Sequence, residues 1–224
     1  MLQSTIFEFV PIARWRNPMP YTLRIQSQAS QDRLEQLIAA RMLPETDKQA
    51  LDKRIWDLFG ETWAIMFTDL AGFSRRVDEF GIIHFLQTIF ESQRLLIPCI
   101  DAYDGILLKQ EGDSMLVIFK RPQKALECAL AMQKSLLPYN ADRPEAEQVL
   151  LCIGLGYGEV LKIGDADVFG AEVNAASKLG EDTAKAGEIL VTGTVKQAAP
   201  LDGLRFEQIH ETIPGTGQAF KVIY

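Results

Sequence analysis

The chain has 224 residues, 47% of them hydrophobic and 24% charged, with a formal net charge of −7. Such a composition suits a soluble globular protein of one ordinary domain with an appendage. Acidity without a basic cluster argues against general nucleic-acid binding, and the apolar runs are too short for a transmembrane helix.

Residues 1 to about 30 read as an arm or partial strand, broken by Pro11, Pro18 and Pro20. The apolar part of the N-terminus contains Glu8 and has no basic leader, so it does not read as a secretory signal. A helix is expected from Ser30, its N-cap, to Pro44, and a second from Glu45 to Phe59 with Leu51, Ile55, Trp56 and Phe59 on one face. Residues 1–60 thus form an N-terminal arm and helices suited to packing, coupling or dimerisation, and 61–224 form the main domain.

That domain opens with a buried strand at 63–68. Arg75 to Ile97 reads as a long helix with Phe80, Ile83, Leu86, Ile89, Phe90 and Ile97 inward. Gly105–Lys109 and Ser114–Phe119 flank Gly112-Asp113 as a hairpin, and Pro122 to Leu137 is an amphipathic helix. Val149–Gly156 and Glu159–Ile163 read as two strands, Gly170–Ala184 as a helix, and 187–192 as a short strand. Two strands close the chain around Pro214-Gly215-Thr216-Gly217. This order predicts an α+β fold, a mixed α/β sandwich.

Cys99, Cys128 and Cys152 lack a Cys-x-x-Cys spacing and read as buried thiols of a reducing, cytoplasmic compartment. His84 and His210 receive no role. Glu111 and Glu172 are expected to be exposed. Gly154, Gly156 and Gly158 do not have the Rossmann spacing and read as places of close approach to a strand.

The chemistry concentrates in two echoing stretches, Phe67-Thr68-Asp69-Leu70-Ala71-Gly72-Phe73-Ser74 and Lys109-Gln110-Glu111-Gly112-Asp113. Each sets an aspartate beside a buried strand, where a carboxylate is costly unless paired. Two such carboxylates brought together by strand pairing would suit a hard cation such as Mg²⁺. Further on, Asp167-Val168-Phe169-Gly170 precedes a helix on which Asn174 and Lys178, four apart, share a face.

In these motifs, from about Trp63 to Thr192, the sequence resembles the class III adenylate and guanylate cyclase catalytic domain. The resemblance implies a ferredoxin-like, palm-type βαββαβ core with a mainly antiparallel sheet. It implies that Asp69 and Asp113, with the Leu70 carbonyl, bind two ions of Mg²⁺ or Mn²⁺, that Lys109 and Asp167 read the base, and that Asn174 holds the ribose. Lys178 stands where most members have an arginine that stabilises the transition state. A head-to-tail homodimer with shared sites is implied, Asp69 and Asp113 facing the other four residues across the interface. The expected activity is conversion of ATP to 3′,5′-cyclic AMP and pyrophosphate. The alternatives are a cyclase-like regulatory module with little turnover, or a cyclase for GTP or a pyrimidine nucleotide. Two departures stand out: Lys178 lacks the bidentate fork of arginine, and the Pro214–Gly217 turn lacks a phosphate-binding lysine, with Lys221 nearby.

Overall fold

The structure, a computed structural model, describes residues 21–72, 80–210, 213 and 215–224. Helix α1 spans Tyr21–Arg41 and α2 spans Lys48–Phe59. Ser30 therefore lies inside a helix rather than capping one. The residues ahead of it lack an apolar period, but Gln, Arg, Leu and Ala sustain helix by propensity alone. The expected arm or partial strand, residues 1 to about 30, is therefore helix from Tyr21 on, and its first 20 residues lie outside the described ones. Asp47 caps α2, accepting from the amides of Gln49 and Ala50 at 3.1 Å each. Leu37, Ile55 and Phe59 pack the helix pair on Ile163. Of the expected α2 face, Trp56 is instead exposed.

Strand β1, Gly60–Leu70, follows α2 without a loop. Helix α3 is Ile82–Ala102; β2, Ile106–Glu111, and β3, Ser114–Phe119, form the hairpin turning at Gly112, whose φ of 60° favours glycine. Helix α4 is Pro122–Ala141. Strand β4 runs unbroken over Leu151–Ile163, so the two strands expected there are one. Then come β5, Asp167–Phe169; α5, Ala171–Ser177, continued by a π-helical turn over Lys178–Thr183; β6, Ile189–Thr192; α6, Gly193–Ala198; β7, Arg205–Ile209; and β8, Ala219–Ile223.

Among the described residues the sheet order is β2-β3-β1-β4-β6-β8-β7, with β5 added beside β4. The β4–β6 pair is parallel and the others are antiparallel, so the α+β, mainly antiparallel expectation holds. Strand periodicity splits β1 between two layers. Ala64, Met66 and Leu70 enter the large core with α3 and α4, whereas Trp63 and Ile65 face the α5 side.

The rotation of α3 differs from expectation. Phe85, Ile89, Leu96 and Ile100 are buried, while Phe80, Ile83, Leu86 and Phe90 are exposed. Its N-terminal half carries an apolar arc wider than one buried face, opposite His84, Gln87 and Glu91, so periodicity there does not choose which flank of the arc is buried. The expected start of this helix, Arg75, and the Phe73-Ser74 turn lie outside the described residues. Burial pushes the thiols of Cys128 and Cys152 up to about 12, so both stay protonated near neutral pH.

Candidate active site

β1 and β3 pair in antiparallel register, Thr68 opposite Met115, which brings the end of β1 to the β2–β3 turn. Asp69 ends the α5-facing row of β1, and Asp113 occupies the turn. Both side chains are about half buried. Burial, then the charge of Asp113, pushes Asp69 up to about 6. Burial also raises Asp113. Ser114 donates its hydroxyl to Asp69 Oδ1 at 3.2 Å. The Leu70 backbone amide favours the charged form of both aspartates, though less than burial opposes it. Asp113 Oδ2 is buried and finds no hydrogen-bond partner among the described residues.

An orphaned carboxylate oxygen and two carboxyls driven toward protonation fit a place where a cation would sit. Among the described residues no cluster of three or more His, Cys, Asp or Glu side chains completes a metal cage. That donor set suits Mg²⁺ better than Zn²⁺, because Mg²⁺ is commonly held by one or two carboxylates together with substrate phosphates.

Ser114 also lines a cleft of about 220 Å³ on the α5 side of the sheet. Its walls include Phe67, Leu116, Val168 and Val173, and its polar groups include Lys109, Asp167, Glu111 and Glu181. A register shift in β2 between Leu107 and Lys109 accompanies the placement of Lys109 at the cleft. There Lys109 forms an ion pair with Asp167, which opens β5 and also accepts from the Val168 amide at 2.9 Å. Three carboxylates against one ammonium repel phosphate, while the apolar walls suit a neutral planar ring. The volume is below that usual for a whole drug-sized ligand.

Asn174 and Lys178 occur on α5 and its π-helical continuation. Asn174 is exposed and Lys178 half buried. Helix and sheet approach closely because β4 is glycine-lined on this face. A Cβ at Gly154 would lie 2.1 Å from the Ala176 carbonyl oxygen, and one at Gly156 would lie 2.3 Å from that of Glu172. The reading of these glycines as places of close approach therefore holds. Lys221, on β8, pairs with Glu188 at 2.7 Å.

Two side chains escaped the sequence reading. Glu181 lines the cleft and accepts from Ser177 one helical turn earlier; the i, i+4 spacing was the available signal. Glu172 is not the exposed residue expected, for its carboxylate is held by three donors. Glu111 is exposed, as expected.

A family model described as the Adenylate and Guanylate cyclase catalytic domain matches residues 60–218. A protein named adenylate cyclase from Mycobacterium bovis is 27% identical over 207 residues, covering 85% of this chain and 46% of that protein. The serine/threonine-protein kinase pkn2 of Myxococcus xanthus is 31% identical over 134 residues, 60% of this chain and 16% of its own length. The chain thus spans less than half the length of these curated relatives. Among solved structures, an adenylate/guanylate cyclase/hydrolase from Silicibacter pomeroyi is 28% identical with a TM-score of 0.64, covering 73% of this chain and 95% of that one. The adenylyl cyclase CyaB from P. aeruginosa, 21% identical with a TM-score of 0.59 over 74% of this chain and 95% of its own, shares the fold. Together with the strand-end aspartates and the cleft beside them, these matches make the chain a member of the adenylate and guanylate cyclase catalytic domain family.

Proposed function

We propose that this domain is an adenylate cyclase, converting ATP to 3′,5′-cyclic AMP and pyrophosphate. The observation that carries the reading is the Asp69–Asp113 pair, raised toward protonation and short of partners, on a domain that also carries a ring-sized cleft lined by Lys109 and Asp167. Asp69, Asp113 and the Leu70 carbonyl would hold two ions of Mg²⁺ or Mn²⁺. Bound there, divalent ions would acidify the ribose 3′-hydroxyl and neutralise the triphosphate. The protein's part is positioning and charge placement. In the cleft, Lys109 donates to adenine N1 and Asp167 accepts from the N6 amine. Guanine presents the opposite polarity at that edge, so the pair favours ATP. Asn174 orients the ribose. Lys178 places positive charge at the α-phosphate, without the two-point grip of arginine. Lys221 is engaged by Glu188 and takes no phosphate role in this scheme.

The exposure of Asn174 fits a head-to-tail homodimer in which Lys109, Asp167, Asn174 and Lys178 of one protomer complete the Asp69–Asp113 site of the other. Residues 1–60 would be a coupling or dimerising segment ahead of the catalytic domain, 61–224. Among the described residues no helix is long and apolar enough to cross a membrane.

The test is direct. Purified protein is incubated with each of the four ribonucleoside triphosphates and Mg²⁺ or Mn²⁺, and cyclic products are identified by mass. Cyclic AMP as the main product supports the reading. A different cyclic nucleotide reassigns the substrate. Nucleotide binding without any cyclic product favours a regulatory module, the second reading that the lysine at 178 keeps open.

A further inference from the structure

α5 and its π-helical continuation carry the two residues assigned to the ribose and the transition state, yet α5 is only seven residues long, Ala171–Ser177. A helix this short has little stability of its own, so its position must come from what it rests on. Two contacts are set by backbone. The carbonyls of Glu172 and Ala176, one helical turn apart, lie over Gly156 and Gly154, two strand residues apart. Four helical residues rise about 6 Å, and two strand residues span about 6.6 Å, so both approaches can be made at once.

These contacts set the height of the helix above the sheet. Rotation and sliding remain, and there Glu172 enters. Its Oε2 accepts from the Tyr157 amide at 3.0 Å, from Thr192 Oγ1 at 2.8 Å and from Thr194 Oγ1 at 3.0 Å. The two hydroxyls also touch each other at 2.7 Å. They own two protons for three contacts, so two of the three are made at once, and either hydroxyl can donate to the other instead of to the carboxylate. The Tyr157 amide comes from β4, and the threonines come from the end of β6 and the start of α6. Gly158 keeps the space open, since a Cβ there would lie 3.0 Å from Glu172 Cγ. Glu172 thus pins α5 to two strands at once. Asn174 lies about 200° further round the helix and Lys178 about 240°, on the side away from this anchor.

We propose that Glu172 is a positioning residue: by holding α5 against β4 and β6 it sets where Asn174 and Lys178 stand. The role rests on the cyclase reading of those two residues, but the anchoring can be tested apart from it. Hydrogen exchange of the full chain is read first, because it needs no turnover. Glu172→Ala and the milder Thr194→Ala should speed exchange of amides in 171–183 while leaving β1 and β3 at wild-type protection. Glu172→Gln, whose carbonyl oxygen still accepts, should restore most of it.

Steady-state kinetics follow with the nucleotide the wild type cyclises. Glu172→Ala should lower kcat roughly 10- to 100-fold, the scale of an ångström-sized misplacement, with KM within a few-fold and Glu172→Gln near wild type. On a Lys178→Ala background the same change should cost less, because one of the two groups being positioned is gone. Unchanged exchange in 171–183, or a loss of kcat that is fully additive with Lys178→Ala, would overturn the proposal. Localised faster exchange in Glu172→Ala, with a wild type that makes no cyclic product, would uphold the anchor and sink the cyclase reading instead.

Discussion

Replacing Gly154 with alanine tests the seat of α5 where the structure is least forgiving. The added Cβ would stand 2.1 Å from the Ala176 carbonyl oxygen and 2.3 Å from the Gly180 amide nitrogen. Both atoms are backbone, so no side-chain rotation relieves the clash. Ordinary contact begins near 3.4 Å, and 3.4 minus 2.1 leaves about 1.3 Å by which the helix and its π-helical turn must lift. Overpacking of this kind costs about 1–3 kcal/mol. In a chain of this size each kcal/mol lowers Tm by about 2–4 °C, so a fall of about 2–12 °C is expected. The same lift moves Asn174 and Lys178, and a displacement near 1 Å can cost about 100-fold in turnover.

Gly193→Ala is the control. Its Cβ would meet nothing nearer than 3.5 Å, and a glycine-to-alanine change inside a helix is neutral or favourable. Thermal melts followed by kcat on the folded protein decide the matter. A Gly154→Ala variant with the Tm and kcat of the control would refute the close approach of α5 and the claim that its height matters.

Three further outcomes follow from the site. Asp69 titrates near 6 in the folded chain, above its ordinary value, so the native state favours its protonated form; its contribution to stability is present below about pH 4 and lost as pH rises through about 6. Asp69→Asn should therefore raise Tm at pH 8 without metal, the gain should vanish toward pH 4, and Mg²⁺ should stabilise the wild type but not the variant; equal melts at pH 8 would contradict this. Changing Lys109→Glu with Asp167→Cys should lower the ratio of kcat/KM for ATP over GTP, and an unchanged ratio would show that the pair does not read the base. Mixing inactive Asp69→Ala and Lys178→Ala protomers under exchange should restore about a quarter of wild-type activity, by counting intact sites in a random set of two-fold dimers; no recovery would place each site within one chain.

The strands were legible where short apolar runs ended in turn residues. β1 and the β2–β3 hairpin lie close to where the sequence sets them, and their pairing brings Asp69 and Asp113 together. Lys109 and Asp167, 58 residues apart, meet as their motifs implied. β4 was read as two strands because glycine weakens strands in isolation; here the glycine row is covered by α5, and β1 pairs along one edge of β4 from Leu151 to Leu161. Glu172 was misread for a related reason. A glutamate in the first turn of a helix is favourable beside the positive end of the dipole while remaining in water. Only the approach of β4, with Gly156 and Gly158 empty of side chains, makes a slot for it. The rotation of α3 was illegible because its apolar arc, with Ile82, Ile83, Phe85, Leu86, Ile89 and Phe90, is wider than the one face that becomes buried.

One strand therefore connects both halves of the proposed chemistry. β1 pairs with β4 over eleven consecutive positions, from Gly60↔Leu161 to Leu70↔Leu151, with Asp69 opposite Cys152. Two residues beyond Cys152, Gly154 begins the row that seats α5. The aspartate that would hold metal and the helix carrying Asn174 and Lys178 are thus registered on the same few residues of β4. In the proposed two-fold dimer these two groups serve different active sites. A shift of α5 along β4 in one protomer would disturb one site through Asn174 and Lys178, and a distortion of β4 beneath it would reach Asp69 at the other. Core substitutions along this strand should accordingly lower activity at both sites even when made in a single protomer, whereas Lys178→Ala, which leaves β4 untouched, should silence one. The half-mutant dimer, with one protomer Gly154→Ala and the other wild type, separates the cases. Activity well below half of wild type would mean that β4 transmits the distortion to Asp69, and retention of half would mean that the damage stops at α5.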